Sequence, residues 1–161
     1  MSTIRAKASG QFPIGEASIN RLGCGAARLA GTDAWGQPSD RSTALATLRR
    51  LPGLSVNFID RSDCYGPDIA EELMCEALHS YEGLLIATKA SFVHQGPGQW
   101  TINGRPDYLI ARAKGSLSVE QIDLWQLHRI DPKVPCDGRC HPSTSGRWHH
   151  PSCGAERGLD D

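Results

Sequence analysis

The stretch Val56-Asn57-Phe58-Ile59-Asp60-Arg61-Ser62-Asp63-Cys64-Tyr65-Gly66 decides the fold. Val56 to Arg61 is almost wholly apolar up to Asp60, as a strand buried on both faces of a parallel sheet requires, and Tyr65 follows in the adjoining loop. A parallel strand that is apolar and then presents one ionisable group delivers that group to the C-terminal rim, where α/β folds place their chemistry. Two further stretches follow the same rule. Leu84 to Ala90 is apolar, but for Thr88, until Lys89, and Ile122 to Arg129 leads through Trp125 and Leu127 to His128. An acid, a phenol, an amine and an imidazole on one rim form a proton-transfer set. Taken singly, each has a plainer reading: Asp60 as a turn former, Tyr65 as a packing residue, Lys89 as a solvated rim charge, His128 as a hydrogen-bonded structural histidine.

Helical patterns fill the gaps between these strands. Ser39 or Asp40 caps a first helix whose Ala44, Leu45, Leu48 and Leu51 recur at helical spacing until Pro52-Gly53 ends it. Asp68 and Glu71 open a second helix as a capping-box-like pair, with Ile69, Leu73 and Ala77 on its buried side. Residues 92 to 105 read as a long glycine-containing loop, and Pro106 starts a third helix that runs to about Leu117. Upstream, Ser18 to Leu29 reads as the first strand with its approach. Four strands alternating with three helices make an α/β fold with a parallel sheet.

Composition narrows the function classes. With 17 basic and 18 acidic side chains and a net charge of −1, there is no basic field to hold nucleic acid or an anionic membrane, and small neutral partners fit better. No apolar run approaches the roughly 18 residues that span a bilayer, and the N-terminal segment lacks an apolar core, so a cytoplasmic protein is expected. Six cysteines without framework spacing suit a reduced compartment.

The segments INRLGCGAARL, VNFIDRSDCYG, GLLIATKASF and IDLWQLHRID, in that order and spacing, resemble the first half of an aldo-keto reductase over residues 18 to about 133. The resemblance implies the first four βα units of a (β/α)8 TIM barrel over residues 1–135, with NADPH as cofactor at the C-terminal face of the strands. It implies a catalytic tetrad of Asp60, Tyr65, Lys89 and His128 acting on a small-molecule carbonyl substrate. Tyr65 would donate the proton, Lys89 would make it more available, Asp60 would hold Lys89, and His128 would orient the substrate oxygen. Gly25, Ala26 and Ala27, together with Asp60, would border the cofactor. Trp35 and Trp100 lie in rim loops where they could line the pocket.

Two positions depart from the pattern. Arg61 and Ser62 stand where the family has small residues such as Thr and Ala, so a guanidinium is expected near the tetrad, repelling Lys89 or claiming Asp60. The link Lys114 to Glu120 is also shorter than in the family. After Pro135 the composition changes: residues 137 to 158 carry Trp148 as their one large apolar side chain, and a disordered tail over 136–161 is expected. Cys136, Cys140, His141, His149, His150 and Cys153 are zinc-ligand types, but their spacing matches no strong zinc motif and no metal site is assigned. Half a barrel leaves strand edges open to self-association. Two function classes therefore stand: an NADPH-dependent reductase of aldehydes and ketones, and a truncated, inactive fragment or interaction half-barrel.

Overall fold

The computed structural model describes residues 5–116 and 122–134. It opens with an antiparallel hairpin, β1 (Gln11–Ile14) and β2 (Ala17–Asn20), turned at Gly15, whose φ of 57° the absence of a side chain permits. Asn57 fastens this hairpin from the other side, accepting from the Asn20 amide at 2.7 Å and donating to the Ser18 carbonyl at 3.0 Å. Because Asn57 immediately precedes a barrel strand, the hairpin sits at the N-terminal end of the sheet.

The sheet itself has four parallel strands in the order β3 (Cys24–Gly25), β4 (Phe58–Asp60), β5 (Leu85–Ala90) and β8 (Leu124–Leu127). The crossovers carry helix α1 (Arg41–Arg50), helix α2 (Ile69–Leu78) and helix α3 (Pro106–Gly115). The architecture is that of successive βα units of TIM-barrel type. Two expectations change in detail. Ser18 to Leu29 is not one strand: Ser18 to Asn20 belong to the hairpin, Cys24 and Gly25 to the sheet, and Ala26–Leu29 form a 3-10 turn. Gly23 makes the short β3 strand possible, since a Cβ there would lie 2.7 Å from the Phe58 ring. The stretch expected as a loop holds a second antiparallel hairpin, β6 (Phe92–Gly96) with β7 (Gln99–Ile102), at the C-terminal end of the sheet. Its alternation was masked by polar and glycine residues.

The core lies between the sheet and the first two helices. Leu45 and Leu48 of α1 and Leu73 and Met74 of α2 pack with Ile59 and Ile86 of the sheet, and each such buried side chain contributes about 1.5–3 kcal/mol. Asp40 caps α1 as the sequence suggests, its carboxylate accepting from the Thr43 amide at 2.9 Å. No such capping box opens α2. Asp68 adopts a left-handed conformation (φ 66°) without a side-chain cap, and Glu71 is buried against Arg61 instead. Among the described residues no helix is long and apolar enough to cross a membrane. The proposed tail, with its Cys and His residues, and most of the link from α3 to β8 fall outside the described residues.

Candidate active site

Strand ends and one tight turn assemble the site. β4 pairs in register with β5, and the chain then leaves the sheet with the Arg61 and Asp63 amides still donating to the Ala87 and Lys89 carbonyls at 2.9 and 3.2 Å. That ties the following turn to the rim. Tyr65 is reached through a turn closed from its amide to the Ser62 carbonyl at 3.2 Å. Gly66 ends the turn at φ 92°, with its amide on the Ala34 carbonyl at 2.8 Å and Ile69 only 2.6 Å from where a Cβ would stand.

All four tetrad candidates come together here. Lys89 Nζ lies 2.5 Å from Asp60 Oδ1 and donates to the Arg61 carbonyl at 2.9 Å. The same ammonium stands 5.7 Å from the centroid of the Tyr65 ring, within cation–π range. The His128 ring meets Tyr65 edge to face, with centroids 6.1 Å apart at 89°. His128 follows the end of β8, its amide held by the Ala90 carbonyl at 2.8 Å. Its Nδ1 is 3.1 Å from Ser62 Oγ and 3.8 Å from Cys64 Sγ.

The guanidinium of Arg61 does not enter this set. Successive strand residues point to opposite faces, so with Asp60 on the rim Arg61 turns away and is completely buried. Its Nη1 lies 2.8 Å from Glu71 Oε1 and its Nη2 donates to the Ser116 carbonyl at 2.7 Å. The Nη1 contact is close but not aligned as a hydrogen bond, so the pairing is chiefly coulombic. Only the main-chain carbonyl of Arg61 reaches Lys89.

The electrostatics run against one expectation. The Tyr65 phenol is pushed up to about 12 by burial, then by the Asp60 carboxylate and by Cys64. Lys89 is committed to Asp60, so the pair offers the phenol little net positive charge. His128 is lowered from its ordinary value, first by burial and then by Lys89 and Arg129, while Asp60 acts in the opposite sense. At neutral pH the site therefore holds a protonated phenol and a neutral imidazole. The Cys64 thiol is pushed up to about 11 by burial and is no nucleophile there.

The other predicted residues fall nearby. Gly25 pairs with Asp60 across β3 and β4, is exposed, and faces open space where a Cβ would be. Gly25 and Ala27 line a cleft of about 910 Å3 that also includes Arg28 and Asp33, whereas Ala26 is buried in the core and offers only its backbone. Trp100 stacks on His94 (3.6 Å) and on Phe92 (4.6 Å), Trp35 meets His94 edge-on at 4.9 Å, and Phe92 meets His128 at 5.4 Å. An aromatic wall thus runs from the rim loops to the imidazole.

Two elements of the site escaped the sequence reading. Ser62 was visible only as an unusual residue, not as the partner of His128. Arg112 of α3 donates to Asp63 Oδ2 at 2.9 Å and to Asp68 Oδ1 at 2.5 Å, clamping both ends of the Tyr65 turn. Nothing local in the sequence joins α3 to that turn. Among the described residues no cluster of three or more His, Cys, Asp or Glu side chains could hold a metal ion.

The model of the aldo/keto reductase family matches residues 21–150. An uncharacterised oxidoreductase of Schizosaccharomyces pombe is 47% identical over 137 residues, which are 83% of this chain and 45% of that protein. Pyridoxine 4-dehydrogenase of Escherichia coli is 46% identical over 82 residues, 50% of this chain and 29% of that protein. Among solved structures, the glycerol dehydrogenase of Gluconobacter oxydans superposes with a TM-score of 0.61 at 27% identity, covering 80% of this chain and 42% of that one. The chain thus spans less than half the length of the relatives it matches. On the family match and the shared fold, this chain belongs to the aldo/keto reductase family.

Proposed function

We propose that this chain carries the proton-transfer half of an NADPH-dependent oxidoreductase that reduces aldehydes or ketones to alcohols. The observation that supports this most is the convergence of Asp60, Tyr65, Lys89 and His128, from three strand ends and one turn, on one half-buried rim. When bound, the nicotinamide supplies the hydride. Gly25, Ala27 and Asp60 would hold it, and the open, uncharged glycine edge beside Asp60 suits a flat ring approaching the backbone.

The chain's own residues then handle the oxygen. Tyr65 arrives protonated, because its pKa is raised, and its O–H is a hydrogen-bond donor to a carbonyl oxygen. A developing alkoxide is a far stronger base than a phenolate, so transfer of the phenol proton remains downhill even from a raised pKa. Asp60 fixes Lys89 in place beside the Tyr65 ring. His128 sits against Tyr65, where it shares in proton transfer at the oxygen. The aromatic wall of Phe92, Trp100 and Trp35 excludes water from one side. This reading places the enzyme in the cytoplasm and gives it a small-molecule partner.

A second reading is a non-catalytic half-barrel that pairs with another chain. It is favoured by β3 and β8, which stand at the two edges of the four-stranded sheet among the described residues. Titration of the 161-residue chain with NADPH, read by quenching of tryptophan fluorescence alongside a size measurement, separates the two. Saturable micromolar binding supports the reductase reading; a folded chain that binds none and self-associates supports the second.

A further inference from the structure

We propose that Ser62 is a positioning residue that holds His128 in the tautomer protonated on Nδ1, leaving Nε2, on the side of the ring away from Ser62, as a hydrogen-bond acceptor. The inference deepens the proposed function and rests on it only for its catalytic consequence.

The argument is a count of protons and lone pairs around one buried hydroxyl. Ser62 is completely buried, and its Oγ has four polar neighbours, two of them in its own turn: the Lys89 carbonyl at 3.0 Å, Asp63 Oδ1 at 3.1 Å, Cys64 Sγ at 3.2 Å and His128 Nδ1 at 3.1 Å. A serine has one proton to give and two lone pairs to receive. The Lys89 carbonyl can only accept, and Asp63, ion-paired with Arg112, also accepts. Whichever of them takes the Ser62 proton, a lone pair is left for Nδ1, and Nδ1 must bring the hydrogen. The Cys64 amide also donates to the same oxygen, at a long 3.5 Å. In the opposite arrangement Ser62 donates to Nδ1, and its lone pairs face two acceptor oxygens at 3.0 and 3.1 Å in a buried place, with the Lys89 carbonyl losing its serine donor. The first arrangement leaves one of these oxygens against a Ser62 lone pair and the second leaves both, the Lys89 carbonyl keeping the Asp63 amide in either case, so the first is favoured.

For the reaction, the consequence concerns His128. A neutral ring with a bare Nε2 cannot donate to a carbonyl oxygen. It accepts the hydrogen of a hydroxyl, whether from Tyr65 or from a bound alcohol, and so acts in the proton relay rather than as a second donor to the substrate. An alanine at position 62, as in the small-residue pattern this chain departs from, would release the constraint.

The test reads the ring directly. Nitrogen-15 NMR of the 161-residue chain, at a pH where His128 is neutral and with its signals assigned by their loss in His128→Gln, distinguishes a protonated from a bare ring nitrogen at each position. We expect Nδ1 protonated and Nε2 bare, a shift to predominantly Nε2–H in Ser62→Ala, and retention of the original tautomer in Ser62→Thr, which keeps the hydroxyl. A His128 that is Nε2–H in the unaltered chain, or an unchanged tautomer in a folded Ser62→Ala, overturns the proposal. If Ser62→Ala does not fold, the unaltered chain and Ser62→Thr decide it. A chain that binds no NADPH yet shows Nδ1–H would contradict the reductase reading and still support this one.

Discussion

Lys89 Nζ lies 2.5 Å from Asp60 Oδ1 but 5.7 Å from the centre of the Tyr65 ring. The ammonium is therefore first the partner of the carboxylate and only second a neighbour of the phenol. Asp60, in turn, is one of the groups that raise the Tyr65 pKa. Neutralising it should make the phenol more acidic. In Asp60→Asn the Tyr65 pKa should fall below about 12, as read by the ultraviolet titration of the phenol, while stability changes by no more than about 1 kcal/mol, since the pair is partly exposed. An unchanged or higher phenol pKa would show that the Asp60 charge is not felt at Tyr65.

The buried pair beneath the site should behave in the opposite way. Arg61 is completely buried against Glu71, so Arg61→Met, which strands the carboxylate, should cost about 3–5 kcal/mol in denaturant unfolding. Arg61→Met combined with Glu71→Leu should recover most of that loss. If the double variant is as unstable as the single one, the damage comes from packing rather than from an unpaired charge.

Arg112 acts on the turn that carries Tyr65. Arg112→Ala removes its ion pairs to Asp63 and Asp68, and leaves Asp63 buried with only the distant Tyr108 hydroxyl, 3.4 Å away, and Ser62 as partners. A loss of about 2 kcal/mol is expected, with amide exchange accelerating most over residues 61 to 68. Uniform acceleration across the sheet would place the effect of Arg112 elsewhere.

The cap of α1 supplies a pH dependence. Hydrogen bonds from Thr43 and Ser42 hold the Asp40 carboxyl down to about 2, against 3.8 ordinarily. A depressed folded pKa means that the cap's stabilisation is complete above about pH 4 and is lost as the pH falls through about 2. Asp40→Asn keeps a capping oxygen that does not titrate, so the acid-dependent part of the unfolding midpoint should shrink in that variant. Identical acid profiles would mean that Asp40 does not contribute.

Much of this arrangement was legible in the sequence because parallel strands announce themselves: Phe58 to Asp60 and Leu85 to Lys89 are short, mainly apolar runs that lead to one ionisable residue. The convergence of the four candidates was legible for the same reason, since Asp60, Lys89 and His128 lie at or just beyond strand ends and Tyr65 follows in the adjoining turn. The β6–β7 hairpin was not, because His94, Gln95, Gly96 and Gly98 break the alternation and, among the described residues, the strands pair only with each other. Arg61 misled, since its charge was read without the strand's two-sidedness, which sends it toward Glu71. Ser62 and Arg112 act through partners 66 and 44 to 49 residues away, a separation no local pattern encodes.

The most direct test of the central claim is the rate of NADPH oxidation with a simple aldehyde, compared between the unaltered chain and Tyr65→Phe. With Tyr65 as the proton donor, the variant should lose about 10²–10⁴-fold in kcat/KM while its NADPH-induced fluorescence quenching is unchanged. Equal rates in the two proteins would remove Tyr65 from the chemistry and contradict the account.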